Sequence, residues 1–415
     1  MRDLPSAAPL VAMPHASTHP PVSQLNHTAL LLPGGGARAA YQVGVLKALA
    51  EITAGYARNP FPILCGTSAG ALNAVALATQ ADDFGKAVIW LESLWMRLAT
   101  DNVYRSDWLD LTNNAWRLML SLFNAGIAVG RPVGLLDNSP LRGLLGKSLN
   151  FDRIGEHIQH GNLRAVSVTA MNYTQGVSMS FFQGGPDHAN WQRWRRQGIA
   201  CPLRLKHLMA STAIPTIFPP EEISGNYYGD GALRQLTPIS PAVHLGAERV
   251  LVVPPNGHKR TYTKPIRKIQ SPAFGQILGH LLNSAFIDSL ATDMELLEQV
   301  NELIDLLPPE QRTHLKRKLS RIELFVLSPS QDIDTIAELH VKELPRSIRY
   351  FLRITGSGYN SGGVNAASYL LFTQPFIKQL IELGYGDAMA QASELASFLA
   401  RGNQAEAEHQ FAANR

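Results

Sequence analysis

Residues 61–78 read FPILCGTSAGALNAVALA, and this stretch decides the fold. Phe61–Cys65 is an apolar run too short for a helix and suited to a strand buried on both faces. Gly66-Thr67-Ser68-Ala69-Gly70 is a glycine-flanked turn, and Ala71–Ala78 is an alanine-rich helix start. The same succession stands upstream. Thr28–Leu32 is a short apolar run ended by Pro33 and by Gly34-Gly35-Gly36. Residues 39–54 then carry Val43, Leu46, Leu49, Ala50 and Thr53 at helical spacing, with Gly55 as the stop. Strand, glycine turn, helix, twice in succession, predicts an α/β fold around a mostly parallel sheet.

Further strands are expected at Leu163–Ala170 and Val177–Phe182, joined by the turn Asn172-Tyr173-Thr174-Gln175-Gly176, and at Arg249–Val253 and Ile322–Leu327. Residues 108–129 pattern as an amphipathic helix. Trp108, Leu111, Ala115, Leu118, Met119 and Leu122 lie on one face, opposite Asn113, Arg117, Ser121 and Asn124. Such a helix can pack on the core, cover a site or touch lipid. Helical pattern returns over 274–306, ended by Pro308-Pro309, and over 364–401. The composition shifts after about residue 255. The expected organisation is a flexible tail over 1–26, a catalytic α/β domain over 27–260 and a mainly helical region over 261–415.

Composition narrows the function classes. Hydrophobic residues make up 45% of the 415, enough to bury a large core and exclude a disordered chain. Thirty-seven Lys and Arg against 33 Asp and Glu leave a net charge of +4, too little for a nucleic-acid binder. Only two cysteines occur, Cys65 and Cys201, so neither a disulfide framework nor a Cys-based zinc site is expected. No transmembrane run is present, and the tail shows no apolar segment behind a basic start, which points to the cytoplasm. Basic clusters at 191–206, 257–268 and 312–321 read as solvated faces or as contacts to anionic lipid. In the first, Trp191 and Trp194 stand among Arg193, Arg195, Arg196, Arg204 and Lys206.

Three motifs carry chemistry. Gly66-Thr67-Ser68-Ala69-Gly70 is a GxSxG between a strand and a helix, the context in which a sharp turn exposes a serine oxygen. Gly34-Gly35-Gly36-Ala37-Arg38 leaves backbone amides free to face an anion, with Arg38 adding charge or anchoring the loop. Asp230-Gly231-Ala232 sets a carboxylate on bent, accessible backbone, where it can act as a base. Rival readings fit less well. Gly34, Gly36 and Ala39 satisfy a dinucleotide fingerprint, but the next strand ends in Cys65-Gly66 with no carboxylate for a ribose. Gly146-Lys147-Ser148 lacks the upstream glycine of a P-loop, since position 141 is Leu. His157 and His160 have no evident third ligand. A Ser-His-Asp triad would draw on His244, His258, His280, His314, His340 or His409, none in a marked setting.

Together the motifs Gly34-Gly35-Gly36-Ala37-Arg38-Ala39, Gly66–Gly70 and Asp230-Gly231-Ala232 resemble the patatin-like phospholipase family. That family's pattern is G-G-G-x-[RK]-G, GxSxG and a later D-G-[GA]. Tyr41–Leu46 and Ala210–Pro220 also look like the family, over roughly residues 28–260. Ser368–Phe372 and Leu383-Gly384-Tyr385 resemble extensions of bacterial members. The resemblance implies a three-layer α/β/α fold with a mainly helical C-terminal extension. It implies a Ser–Asp dyad without histidine, with Ser68 as nucleophile and Asp230 as base. The glycine loop, Gly34, Gly35 and Gly36 with Arg38, would form the oxyanion hole. Gly66, Gly70, Gly231 and Ala232 are the remaining motif positions, and Ala39 stands where the family has glycine. The expected substrate is a lipid acyl ester, met through peripheral contact with an anionic membrane. No cofactor, metal or nucleic acid is expected, and no residue signals an oligomeric state. The alternatives are a lipid-binding protein of the same fold with weak turnover, or an acyltransferase using the same dyad.

Overall fold

The computed structural model describes residues 27–56, 59–123, 134–257, 284, 289–308, 321–354 and 364–401. The expected tail over 1–26 and the basic clusters at 258–268 and 312–318 lie outside the described residues.

The first strand, β1 (Thr28–Leu32), leads through the glycine loop into α1 (Ala40–Ile52). β2 (Ile63–Thr67) leads through Ser68 into α2 (Ala69–Ala78). Then come α3 (Phe84–Trp95), capped by the Asp83 carboxylate on the Lys86 amide, α4 (Thr100–Val103) and α5 (Trp108–Phe123). Next are α6 (Ser139–Ser148), α7 (Asp152–Gln159) and the hairpin of β3 (Ala165–Asn172) and β4 (Val177–Gly184). A smaller hairpin, β5 (Trp191–Arg193) and β6 (Arg196–Ala200), precedes α8 (Leu205–Ser211). β7 (Glu221–Ile223), β8 (Asn226–Asp230), α9 (Ser240–His244) and β9 (Arg249–Val252) follow. Beyond residue 260 lie α10 (Ser289–Leu306), β10 (Glu323–Val326), α11 (Ile333–His340), α12 (Arg346–Ile354), α13 (Val364–Leu370) and α14 (Gln374–Met389). A last helix occupies 392–401.

The strands form one sheet in the order β10-β9-β1-β2-β3-β4-β6-β5, with β7 and β8 attached beside the outer half of β3. From β10 to β3 it is parallel, as the repeated strand–turn–helix pattern predicts. From β3 outward it becomes mixed, because short turns make β3–β4, β5–β6 and β7–β8 hairpins. Side chains alternate across the central strands. Leu30, Leu32, Leu64 and Leu251 enter a large core shared with α1, α2, α3 and α14. Ala29, Leu31, Ile63, Val250 and Val252 enter a second core on the other face, with Ile239 and Leu290. Helices therefore cover both faces, the three-layer α/β/α arrangement, and this explains why the strands read as unbroken apolar runs.

The region after residue 260 shares this sheet and core. β10 pairs in parallel with β9, and Tyr369, Phe376, Ile377 and Leu380 sit in the same core as α1. The helical stretch expected over 364–401 is interrupted at 371–373 and again at 390–391. The break after Leu370 releases two carbonyls that α4 and its neighbour take up: Tyr104 donates to Leu370 and Thr100 to Phe372, at 2.9 and 3.0 Å. Among the described residues no helix is long and apolar enough to cross a membrane.

Candidate active site

The register of β3 sets the site. β2 runs parallel to β3 and ends with Thr67 opposite Thr169. β8 runs the opposite way along the same edge of β3 and ends with Asp230 opposite Ala170. Two strands thus meet head-on at neighbouring rungs, and the residues at their tips are Ser68 and Asp230. The Ser68 hydroxyl donates to Asp230 Oδ2 at 2.5 Å.

Ser68 sits at φ 55°, ψ −129°, a backbone conformation that costs a serine on the order of 1–3 kcal/mol. It holds because the surroundings over-determine it. The Ser68 amide donates to Ser211 Oγ at 2.8 Å, and Ser211 Oγ donates to the Thr169 carbonyl at 2.6 Å. The Asp230 amide donates to the Ala213 carbonyl at 2.8 Å. One segment, 210–213, therefore braces both partners. Close backbone approach fixes the motif glycines. A Cβ would stand 2.5 Å or less from Ala71 at Gly66, from Leu32 at Gly70 and from Thr169 at Gly231.

Asp230 is 1% exposed and Ser68 2%. Burial pushes the Asp230 carboxyl up to about 7, against the lowering effect of its bonds from Ser68 and from the Ala232 amide. That places its titration where a general base works best. The other Asp230 oxygen accepts from the Ala232 amide at 3.0 Å, so both oxygens are oriented. Thr67 donates to Gln235 at 2.6 Å, tying the elbow to the loop that follows Asp230.

The glycine loop lies above the same junction. Gly36 has φ +54°, and a Cβ there would fall 2.3 Å from the Tyr369 carbonyl oxygen. Gly35 is extended at φ 178° and packs against Pro255, while its carbonyl accepts from the Arg38 amide at 3.1 Å. Ala39 adopts φ −67°, where alanine is unstrained, so its lack of glycine leaves the turn intact. The buried Arg38 guanidinium faces the C-terminal region. It donates to Ser368 at 2.8 Å, to Asp334 at 2.5 Å and to Asn256, and it stacks on the Tyr369 ring at 4.2 Å. It is absent from the walls of the cavity beside Ser68, so its place is to fasten the loop.

That cavity is lined by Gly36, Ser68, Ala69, Leu72, Trp95, Leu98, Val103, Leu141, Ile214, Phe218, Tyr369 and Phe372, among others. The space it encloses, counted out through its open mouth, is about 460 Å³. It is narrow and mostly apolar. Behind it, three buried polar residues lock the helices together. Trp95 Nε1 donates to Asn73 at 2.6 Å, Asn73 Nδ2 to Gln42 at 2.9 Å, and Gln42 to the Pro33 and Val253 carbonyls at 2.8 and 3.0 Å. Sequence reasoning passed over Ser211, Gln42, Asn73, Gln235 and Asp334. Only Gln42 and Ser211 carried a local signal, their places in the Tyr41–Leu46 and Ala210–Pro220 segments.

Among the described residues, no histidine hydrogen-bonds to Ser68 or Asp230. His244 Nδ1 donates to the Ser240 carbonyl and its ring stacks on Trp191, and His340 pairs with Glu343 and Gln379. His258, His280, His314 and His409 lie outside the described residues. His157 is buried, with burial lowering its pKa, and lies 3.3 Å from the Thr79 carbonyl, a structural position. No group of three metal-ligating side chains is found among the described residues.

A family model described as patatin-like phospholipase matches residues 30–243. No curated protein matches the chain. Among solved structures, VipD from Legionella pneumophila aligns at 13% identity and TM-score 0.33, over 89% of this chain and 67% of that one. Human GIVD cytosolic phospholipase A2 with methyl gamma-linolenyl fluorophosphonate aligns at 12% identity and TM-score 0.42, over 92% and 60%. Without that compound the human protein aligns at 12% and 0.39, over 92% and 63%. This chain thus spans about 60–67% of the length of these proteins, and at such TM-scores the likeness carries no functional weight.

Proposed function

Because the chain belongs to the patatin-like phospholipase family, a family of lipid hydrolases, we propose that it is a serine acyl hydrolase working through Ser68 and Asp230. The observation that carries this reading is the 2.5 Å bond from the Ser68 hydroxyl to a buried carboxylate. Asp230 takes the Ser68 proton as Oγ attacks the ester carbonyl. The carbonyl oxygen becomes an oxyanion facing the Gly35 and Gly36 amides, with the Ala69 amide at the start of α2 as a further donor. Such donors contribute about 3–4 kcal/mol each when buried. The intermediate collapses, the alcohol leaves with the proton from Asp230, and the acyl group stays on Ser68. Water then gives its proton to Asp230, attacks the acyl carbon and releases the fatty acid, and the proton returns to Ser68 Oγ.

The apolar cavity supports an acyl chain as the part recognised, since only Gly36, Ser68 and Thr212 interrupt its apolar wall near the ester position. The test is release of p-nitrophenol from a medium-chain ester by wild type, Ser68→Ala and Asp230→Asn. Turnover lost in Ser68→Ala and crippled in Asp230→Asn is expected, with single histidine variants active. Full activity in Ser68→Ala would overturn the mechanism. The same assay with an added acceptor alcohol separates hydrolysis from acyl transfer by the product formed.

A further inference from the structure

The Trp/Arg cluster at 191–196 divides in the structure. Trp191 turns inward, stacked between Phe182 and His244 at 4.8 Å from each. Trp194 does the opposite. It stands at the two-residue turn between β5 and β6 and is 83% exposed, beside Arg195 in the left-handed region at φ 54°. The Arg195 guanidinium lies 5.3 Å from the Trp194 ring. The ring therefore stands in water at the tip of the hairpin, with the Arg195 charge beside it.

Strand register places this turn. Ser178 pairs with Arg196, which sets the Trp194-Arg195 turn beside the β3–β4 turn at 173–176. On the other side, the Tyr173 amide donates to the Tyr227 carbonyl at 2.9 Å, which brings in the start of β8 and the Ser224-Gly225 turn. Three hairpin tips therefore gather at the end of β3 toward which β2 points. The dyad, level with Thr169 and Ala170, lies roughly 10 Å below them along the strand. The loop after Asp230 belongs to the same end. Leu236 is 68% exposed there, Leu233 is exposed, and Thr237 accepts from Arg196.

The chemistry of this end is uniform. Segments 173–176, 191–197, 224–227 and 233–237 carry exposed Tyr173, Trp194, Tyr227, Leu233 and Leu236. Their ionisable groups, tyrosines aside, are four arginines, Arg193, Arg195, Arg196 and Arg234, with no acid. The closest acids by register are on β7, where Glu222 faces Tyr227 and Glu221 is paired with Arg142. Arg234 Nε is buried without a hydrogen-bond partner. Arg196 is committed inward, since it bonds Thr237 and its charge acts on the buried Asp293, whose carboxyl burial pushes up to about 6 against the opposing effects of the Ile239 amide and Arg196. Aromatic rings and arginines without interleaved acids suit the interfacial layer of an anionic bilayer, where rings sit at headgroup depth and guanidiniums meet phosphates.

We propose that the β5–β6 tip, with Trp194, Arg193 and Arg195, docks the protein on an anionic lipid surface at the end of the sheet that carries Ser68 and Asp230. The purpose of this contact rests on the lipid-hydrolase reading, but the binding is measured without turnover. Full-length Ser68→Ala protein is sedimented with phosphatidylcholine vesicles with and without phosphatidylglycerol. Binding is expected only with phosphatidylglycerol and falls as salt rises. Trp194→Ala weakens it about tenfold, and Arg193→Gln with Arg195→Gln about thirtyfold. Trp116→Ala, on the exposed part of α5, leaves it unchanged. In the Ser68-containing chain, Trp194→Ala keeps its turnover of a water-soluble ester, which shows that it is folded. Parent protein that ignores the vesicles, tip variants that bind like the parent, or binding abolished by Trp116→Ala would each overturn the proposal.

Discussion

Replacing Asp230 by Asn separates a carboxylate that works as a base from one that merely accepts a bond. Asn fills the same space, and its single carbonyl oxygen can keep the bond from the Ala232 amide, but it turns an NH2 donor toward Ser68 Oγ and cannot take a proton. The structure gives the size of the effect. Burial raises the carboxyl from 3.8 to about 7. Between those values the unfolded chain is ionised and the folded one is not, so unfolding releases a proton. The stability this group contributes is fully present below about pH 4 and is lost as pH rises to about 7, on the order of 4 kcal/mol in total. Asn does not titrate. Thermal melts from pH 4 to 8 are therefore expected to show the Tm of Asp230→Asn gaining several degrees relative to wild type as pH rises, then levelling. Activity moves the other way. For wild type, kcat/KM on a soluble ester rises about tenfold per pH unit below pH 7 and flattens above it. The variant stays low throughout. A wild-type profile flat from pH 5 to 8, together with a Tm difference independent of pH, would refute both the burial argument and the base assignment.

Other substitutions test the supports. Gly36→Ala forces a Cβ into the Tyr369 carbonyl at φ +54°, and is expected to cost 2 kcal/mol or more by denaturant unfolding and to remove turnover; normal activity would mean that the loop does not face the oxyanion. Asp334→Asn leaves the buried Arg38 without its carboxylate, a loss of about 3 kcal/mol, and kcat is expected to fall more than KM rises. A variant with full kcat would show that the loop holds without the C-terminal region. Leu98→Trp narrows the acyl cavity and Phe372→Ala widens it, so ester panels of rising chain length are expected to shift preference in opposite directions. Unchanged preference in both would place the acyl chain elsewhere.

The layers were legible where local pattern suffices. β1, β2 and β9, with α1 and α2, follow from short apolar runs punctuated by glycine and proline, and they lie within a few residues of where the sequence puts them. The mixed half of the sheet was less legible, because β5, β7 and β8 are three to five residues long and carry too little periodicity. Pairing was illegible throughout. Nothing local tells that Glu323–Val326 joins β9, or that Arg38 reaches Asp334 across 296 residues. The same holds for orientation. Trp191 and Trp194 read alike in sequence, and only the turn at Arg195 sends one into the core and the other into water. At the site, the motifs marked the residues whose backbone is unusual, while braces such as Ser211 and Gln235 look like any polar residue until β3 is laid beside them.

Ser68 and Asp230 are 162 positions apart in the chain, yet the distance between them is set by one peptide step of β3. Apart from Ser68 with α2 and the bracing segment 210–213, the connections between β2 and β3, and between β4 and β8, can lengthen, shorten or be replaced without moving the reacting oxygens, provided Thr169 and Ala170 keep their two partners. The dyad is thus insulated from drift in the surrounding loops, and open to a single lesion. A bulge or deletion within β3 would reverse the facing of one partner and silence the chemistry while leaving both residues, and most of the fold, in place.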